Sequence, residues 1–106
     1  MNIKKTTTQR GFPGLEFQDR YDKKCCIQKS SLAFEDAIWF GINEPEPMVL
    51  AAHAARVGVH TKETTGWVPY PIPNEVLIHT RMHLTRDQVQ KLLPILQHFV
   101  ESGELP

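Results

Sequence analysis

The strongest constraint on this chain lies in its C-terminal third, where an alternating segment runs straight into a complete helix-start signal. From Glu75 to Leu84 the residues alternate, with Val76, Ile78, Met82 and Leu84 on one side and His79, Arg81 and His83 on the other, which predicts a strand. The next four residues, Thr85-Arg86-Asp87-Gln88, fit a capping box. The Thr hydroxyl accepts from the backbone three residues on, the Gln side chain reaches back, and Asp87 suits the positive end of the helix dipole. Val89, Leu92, Leu93, Leu96, Phe99 and Val100 then follow helical spacing, and Gly103 supplies the stop. Pro94 inside this run leaves the Gln90 carbonyl without its N–H partner and predicts a bend near Leu93. A single amphipathic helix covers one face of a sheet and leaves the other open.

Strands to build that sheet are present upstream. Leu15, Phe17 and Tyr21 alternate with Glu16, Gln18 and Arg20, and Asp22-Lys23-Lys24 supplies a turn before Cys25, Cys26 and Ile27, a β-hairpin pattern. Ala37–Ile42 is short, aromatic and β-branched and reads as a third, largely buried strand. Met48 to Val57 is Ala-rich, with Pro47 at a tolerable first-turn position and Gly58 as a stop, and predicts a short helix. Between Thr61 and Asn74, Gly66, Pro69, Pro71 and Pro73 forbid regular ladder pairing and favour an extended, polyproline-like strip carrying Trp67 and Tyr70. The opening residues MNIKKTTTQRG have nothing to bury and predict a mobile arm. The resulting expectation is an α+β fold: a flexible N-terminal arm over residues 1–13, then a single domain over 14–106. In that domain a small antiparallel sheet of three to five strands is packed by a C-terminal α-helix.

Charge and composition narrow the function. The chain has 12 Lys+Arg and 12 Asp+Glu, so no global cation drives non-specific coating of duplex nucleic acid. The balance hides a dipole: residues 1–30 carry seven Lys/Arg against three Asp/Glu, and residues 31–60 carry one against four. No apolar run approaches the roughly 18 residues that a membrane span needs. The two cysteines, Cys25 and Cys26, are adjacent, a spacing that strains an internal disulfide and fits no CxxC motif, and they read as reduced thiols in a cytosolic compartment.

His79, Arg81 and His83 project from one side of a strand and form the leading candidate site, because an Arg fork flanked by imidazoles grips a phosphate. Arg86 and the free amides at the helix start lie just beyond. Trp67 and Tyr70 on the proline strip offer aromatic faces on which a nucleobase stacks. The alternative for the His/Arg side is a solvated sheet face; for the aromatics it is a lid on the core or an oligomer seam. The imidazole and thiol donors form no zinc-type pair-and-pair pattern, and no paired carboxylates, phosphate loop or nucleophile elbow is present, so neither a metal nor a cofactor is expected and enzymatic chemistry has no visible home.

The strings SSLAFEDAIWFG (30–41), ETTGWVPYPIP (63–73) and TRMHLTRDQVQKLLPILQHFVESGEL (80–105) resemble a family of small proteins carried by phages and prophages. The resemblance transfers a genomic setting, the host cytoplasm, and a class of roles, antagonism of host defence; it transfers no catalytic residue. Combined with the candidate site, it implies a non-enzymatic binding protein that sequesters a nucleotide-like immune signal as a homo-oligomeric sponge. Its alternatives are a protein-binding inhibitor of a defence effector such as a CRISPR complex, using Glu35, Asp36, Glu44 and Glu46 against a basic channel, and a small phage hydrolase.

Overall fold

The computed structural model describes residues 1–32 and 34–106. They form two compact units, Met1–Asn43 with Thr80–Pro106, and Glu44–His79. The fold is α+β. The first unit is a five-stranded antiparallel sheet in the order β1-β2-β3-β4-β7, with a C-terminal helix, α1. Its strands are β1 (Lys4–Thr7), β2 (Pro13–Gln18), β3 (Lys24–Lys29), β4 (Ala37–Ile42) and β7 (Arg81–Thr85), and α1 spans Arg86–Ser102.

Strand β4 stands where the alternation placed it, and the hairpin β2–β3 forms with its first strand ending at Gln18 rather than Tyr21 and its turn at Asp19–Lys23 rather than Asp22–Lys24. Asp19 closes the hairpin: its Oδ1 accepts from the backbone N–H groups of Tyr21 and Lys23, at 2.8 and 3.0 Å, and Asp22 takes a positive φ of 61°. The segment expected to be a mobile arm pairs in part. Lys4–Thr7 adds to β2 with Lys4 opposite Glu16 and Thr7 opposite Pro13, because β2 otherwise presents a row of unsatisfied backbone groups along its outer edge. The lysines of β1 then guard the new edge against further pairing.

The strand predicted from Glu75 to Leu84 is shorter than its alternation. β4 ends at Ile42, whose N–H donates to the Thr80 carbonyl at 3.3 Å, so residues before Thr80 have no ladder partner on this sheet. Pro73 instead starts a turn, its carbonyl accepting from Val76 N–H at 3.0 Å.

Thr85 caps α1 as predicted: its Oγ1 accepts from Gln88 N–H at 3.2 Å, while Gln88 Oε1 accepts from Thr85 N–H at 2.9 Å. Gly103 closes the helix in the left-handed region at φ 76°. Helix α1 runs uninterrupted through Pro94 and touches β7, yet none of its residues is buried, and Phe99 is 52% exposed. The apolar stripe that the sequence offered as a cover for the sheet therefore faces outward along much of its length.

An ion-pair cluster joins β3, the segment before β4, and the helix start. Asp36 Oδ1 accepts from Lys29 Nζ at 3.0 Å and Oδ2 lies 3.7 Å from Arg86 Nη1. The hydrogen bond and charge of Lys29, with Arg86 behind it, hold the Asp36 carboxyl below its ordinary 3.8. A carboxyl depressed in the folded state stabilises the fold above its unfolded value, and that stabilisation disappears as pH falls through the folded value. Asp36→Asn is accordingly expected to lower the melting temperature at neutral pH and to match the wild type at about pH 2. Thermal melts of both proteins at the two pH values check this, and a gap that persists in acid contradicts it.

The second unit is small. β5 (Met48–Leu50) pairs antiparallel with β6 (Trp67–Pro69), and a 3-10 helix spans Ala51–Val57. The Ala-rich segment thus begins as strand and continues as a 3-10 helix rather than forming one α-helix. It stops at Gly58, which sits at φ 77°. The ladder between β5 and β6 corrects the expectation that prolines forbid pairing here. Trp67 and Val68 keep their N–H groups, and only Pro69, at the strand's last position, lacks one. Val68 and Ala54 are the buried residues of this unit among those described.

Candidate functional site

Strand alternation gives the five-stranded sheet two unlike faces, and register determines what each carries. Lys4, Glu16, Cys26, Gly41 and Arg81 form one row across all five strands, and Thr6, Gly14, Gln28, Trp39 and His83 form the next. These two rows make a polar face with one indole in it. The opposite face carries Leu15, Ile27, Phe40 and Met82 in one row, with Ile38 opposite Leu84 beside it.

On the polar face Arg81 lies directly opposite Gly41, and Trp39 stands two residues along the same strand. The guanidinium carbon of Arg81 sits 4.0 Å from the centroid of the Trp39 ring, a cation–π contact. Gly41 makes this approach feasible. A Cβ there would come within 2.5 Å of Arg81 Cγ and 2.8 Å of the Thr80 carbonyl oxygen, so the Arg81 stem crosses β4 through space that any other residue would fill. The His83 ring, opposite Trp39, has its centroid 6.3 Å from that indole and is tilted by 38°. An exposed guanidinium fork, an imidazole and an aromatic plane thus converge within one unit.

Cys26 lies under this group, 3% exposed. Burial pushes its thiol up, against the pull of the Arg81 guanidinium toward thiolate, and Glu16 and Cys25 push it further up. A thiol held protonated in this way is a poor nucleophile. Cys25, the next residue along β3, points to the other face and its Sγ donates to the Lys23 carbonyl at 3.5 Å. The two thiols are both free, on opposite sides of one strand.

Of the residues singled out from sequence, Arg81 and His83 share the polar face of β7. Arg86 belongs to the first turn of α1 and pairs with Asp36. With Arg81 at the start of β7 and Arg86 just past its end, the two stand roughly 15 Å apart along the chain direction. His79, Trp67 and Tyr70 belong to the second unit: His79 is exposed, Trp67 is 63% exposed on β6, and Tyr70 N–H donates to the Pro47 carbonyl at 2.9 Å. Sequence reasoning missed Trp39 and Gly41. Their signal was the alternation of β4 itself, which sets Ile38, Phe40 and Ile42 on one face and Trp39 and Gly41 on the other.

Asp36, one of the four acidic residues proposed to meet a basic channel, is engaged by Lys29 and Arg86. Among the described residues no three His, Cys, Asp or Glu side chains gather as a metal site, and no helix is long and apolar enough to cross a membrane. In comparisons with known proteins, no family model, no curated protein and no solved structure matches the chain.

Proposed function

We propose that this chain is a phage-encoded, non-enzymatic binding protein of the counter-defence type, which sequesters a nucleotide-like anion in the host cytoplasm. The observation that supports this reading best is the Arg81–Trp39 stack with His83 beside it, on an otherwise polar sheet face. A guanidinium presents two parallel N–H donors to a phosphate, and the imidazole contributes a third. The guanidinium, stacked on the indole, leaves its outer face as a flat surface for a base. Within the first unit, the base-stacking role assigned from sequence to Trp67 and Tyr70 falls to the Arg81–Trp39 stack. Since Arg81 is held over the ring before any ligand arrives, little side-chain ordering is left to oppose binding. The Cys26 thiol, held protonated by burial, is a poor nucleophile, which agrees with retention of the ligand rather than turnover.

Isothermal titration against cyclic nucleotides and ADP-ribose derivatives tests the proposal. At least one compound is expected to bind and to be recovered unaltered. Arg81→Ala is expected to weaken that binding roughly 10- to 150-fold, the range for losing charge-assisted hydrogen bonds. Undiminished binding by Arg81→Ala removes this site. Recovery of a chemically altered ligand favours the hydrolase reading, and a pull-down from host lysate that retains a defence effector in place of a small molecule favours the protein-binding antagonist.

A further inference from the structure

The face of the sheet opposite Arg81 is apolar and open. Phe40 and Ile27 stand at its centre, partly covered, and Met82 at its β7 edge is 58% exposed. It continues into the helix: Ile38 and Leu84 of the sheet and Val89 and Leu93 of α1 line one groove of about 520 Å³. Beyond the groove the outward stripe of α1 adds Leu96 and Phe99, each more than half exposed. In this unit the buried hydrophobic residues among those described are Cys25, Cys26 and Ala37. Such a core is too small to offset the conformational entropy of an ordered sheet and helix.

We infer that this face and the α1 stripe dock against the same surface of a second copy of the chain, forming a two-layer β-sandwich across a twofold axis. Three features select a second copy. The first is size. Five strands about 4.8 Å apart and five residues long at about 3.4 Å each give a face of roughly 400 Å² in projection. The 17 residues of α1, about 25 Å long and 10 Å wide, add roughly 250 Å². The total approaches the roughly 800 Å² that each partner buries in a stable complex.

The second feature is charge. The centre of the sheet face carries none, Lys5 stands at its β1 edge, and Lys29, Asp36 and Arg86, which also line the groove, pair with one another. The centres of two such faces therefore meet without repulsion, as a twofold interface requires. The third is layer count. A sandwich needs two sheets of matched extent, and the remaining sheet of the chain, β5–β6, has only three residues per strand. The inference uses the face opposite the Arg81 site and stands or falls apart from the ligand reading.

Sedimentation velocity of the full chain tests it. At about 50 µM the wild type is expected at twice its 12.1 kDa. Met82→Lys and Leu96→Lys replace exposed side chains, so each should preserve the circular dichroism spectrum while weakening association at least tenfold, because a twofold axis counts every lysine twice. Arg81→Ala should leave the dimer intact. A wild type that sediments as a monomer overturns the inference, whether its own residues 44–79 or an unrelated protein covers the face. Folded lysine variants that dimerise as tightly as the wild type overturn it equally.

Discussion

Replacing Gly41 with alanine is expected to destabilise the first unit by about 1 to 3 kcal/mol, the range for overpacking a closed site, and to dislodge Arg81 from Trp39. The sign is informative, since removing a glycine from a strand interior ordinarily gains about 0.5 to 1 kcal/mol. Here the added methyl would stand 2.5 Å from Arg81 Cγ, 2.8 Å from the Thr80 carbonyl oxygen and 3.2 Å from Arg81 Cα. Two of those three atoms are backbone, and the Thr80 carbonyl is tied to Ile42 N–H. Relief therefore requires β7 to move away from β4 or Arg81 to swing off the indole. Gly14, on the same face, is the control. A Cβ there meets Thr6 Oγ1 at 2.9 Å and Gln28 Cγ at 3.3 Å, both side-chain atoms that can yield. Gly14→Ala should cost markedly less and leave Arg81 in place. Denaturant titrations of both variants measure the stability difference, and the ligand affinity of each reads the position of the guanidinium. Equal stabilities with unchanged affinities would show that Gly41 does not set the Arg81–Trp39 contact.

This dependence on Gly41 explains why the site was only partly legible in the sequence. The capping box at Thr85 and Gln88 and the stop at Gly103 are decided within a few consecutive residues, and the chain spells them locally; the hairpin turn is local too, but it starts at Asp19, where alternation through Tyr21 suggests strand. Strand β4 was equally plain, because Ala37–Ile42 has few other uses for so many β-branched and aromatic side chains. What places Arg81 on Trp39 is the register between β4 and β7, two strands far apart in sequence, and alternation alone does not choose which residue of one stands opposite which residue of the other.

The same long-range logic formed β1 from Lys4–Thr7, a segment with no apolar residue, simply because β2 had an edge to fill. It also truncated the strand predicted from Glu75: residues 75–79 alternate well but lack a partner beyond the end of β4. In both places pairing prevailed over pattern. The helical stripe was legible as a stripe, yet its count of apolar residues could not say whether it would meet the chain's own sheet or a second copy.

Pro94→Ala is expected to raise stability by about 2 to 3 kcal/mol, close to the full cost of a helix-interior proline, and so to shift the melting temperature up by roughly 10 °C. Helix α1 continues for two turns beyond Pro94, to Ser102, so it bears the loss of the hydrogen bond to the Gln90 carbonyl instead of ending there. Pro94 is itself exposed and off the apolar stripe, so truncation to alanine opens no cavity and removes no contact that would mask the gain. The result also bears on self-association. Leu93 and Leu96 lie on the stripe to either side of Pro94, and a proline inside a helix crowds the carbonyl four residues back and favours a bend, which changes the line along which the side chains present. If the second copy is fitted to that curve, Pro94→Ala should produce a more stable protomer that dimerises more weakly, two effects of opposite sign from one substitution. Thermal melts at a concentration low enough to hold the chain monomeric isolate the first, and sedimentation at higher concentration isolates the second. A variant no more stable than the wild type as a monomer would mean that α1 already accommodates Pro94 without strain.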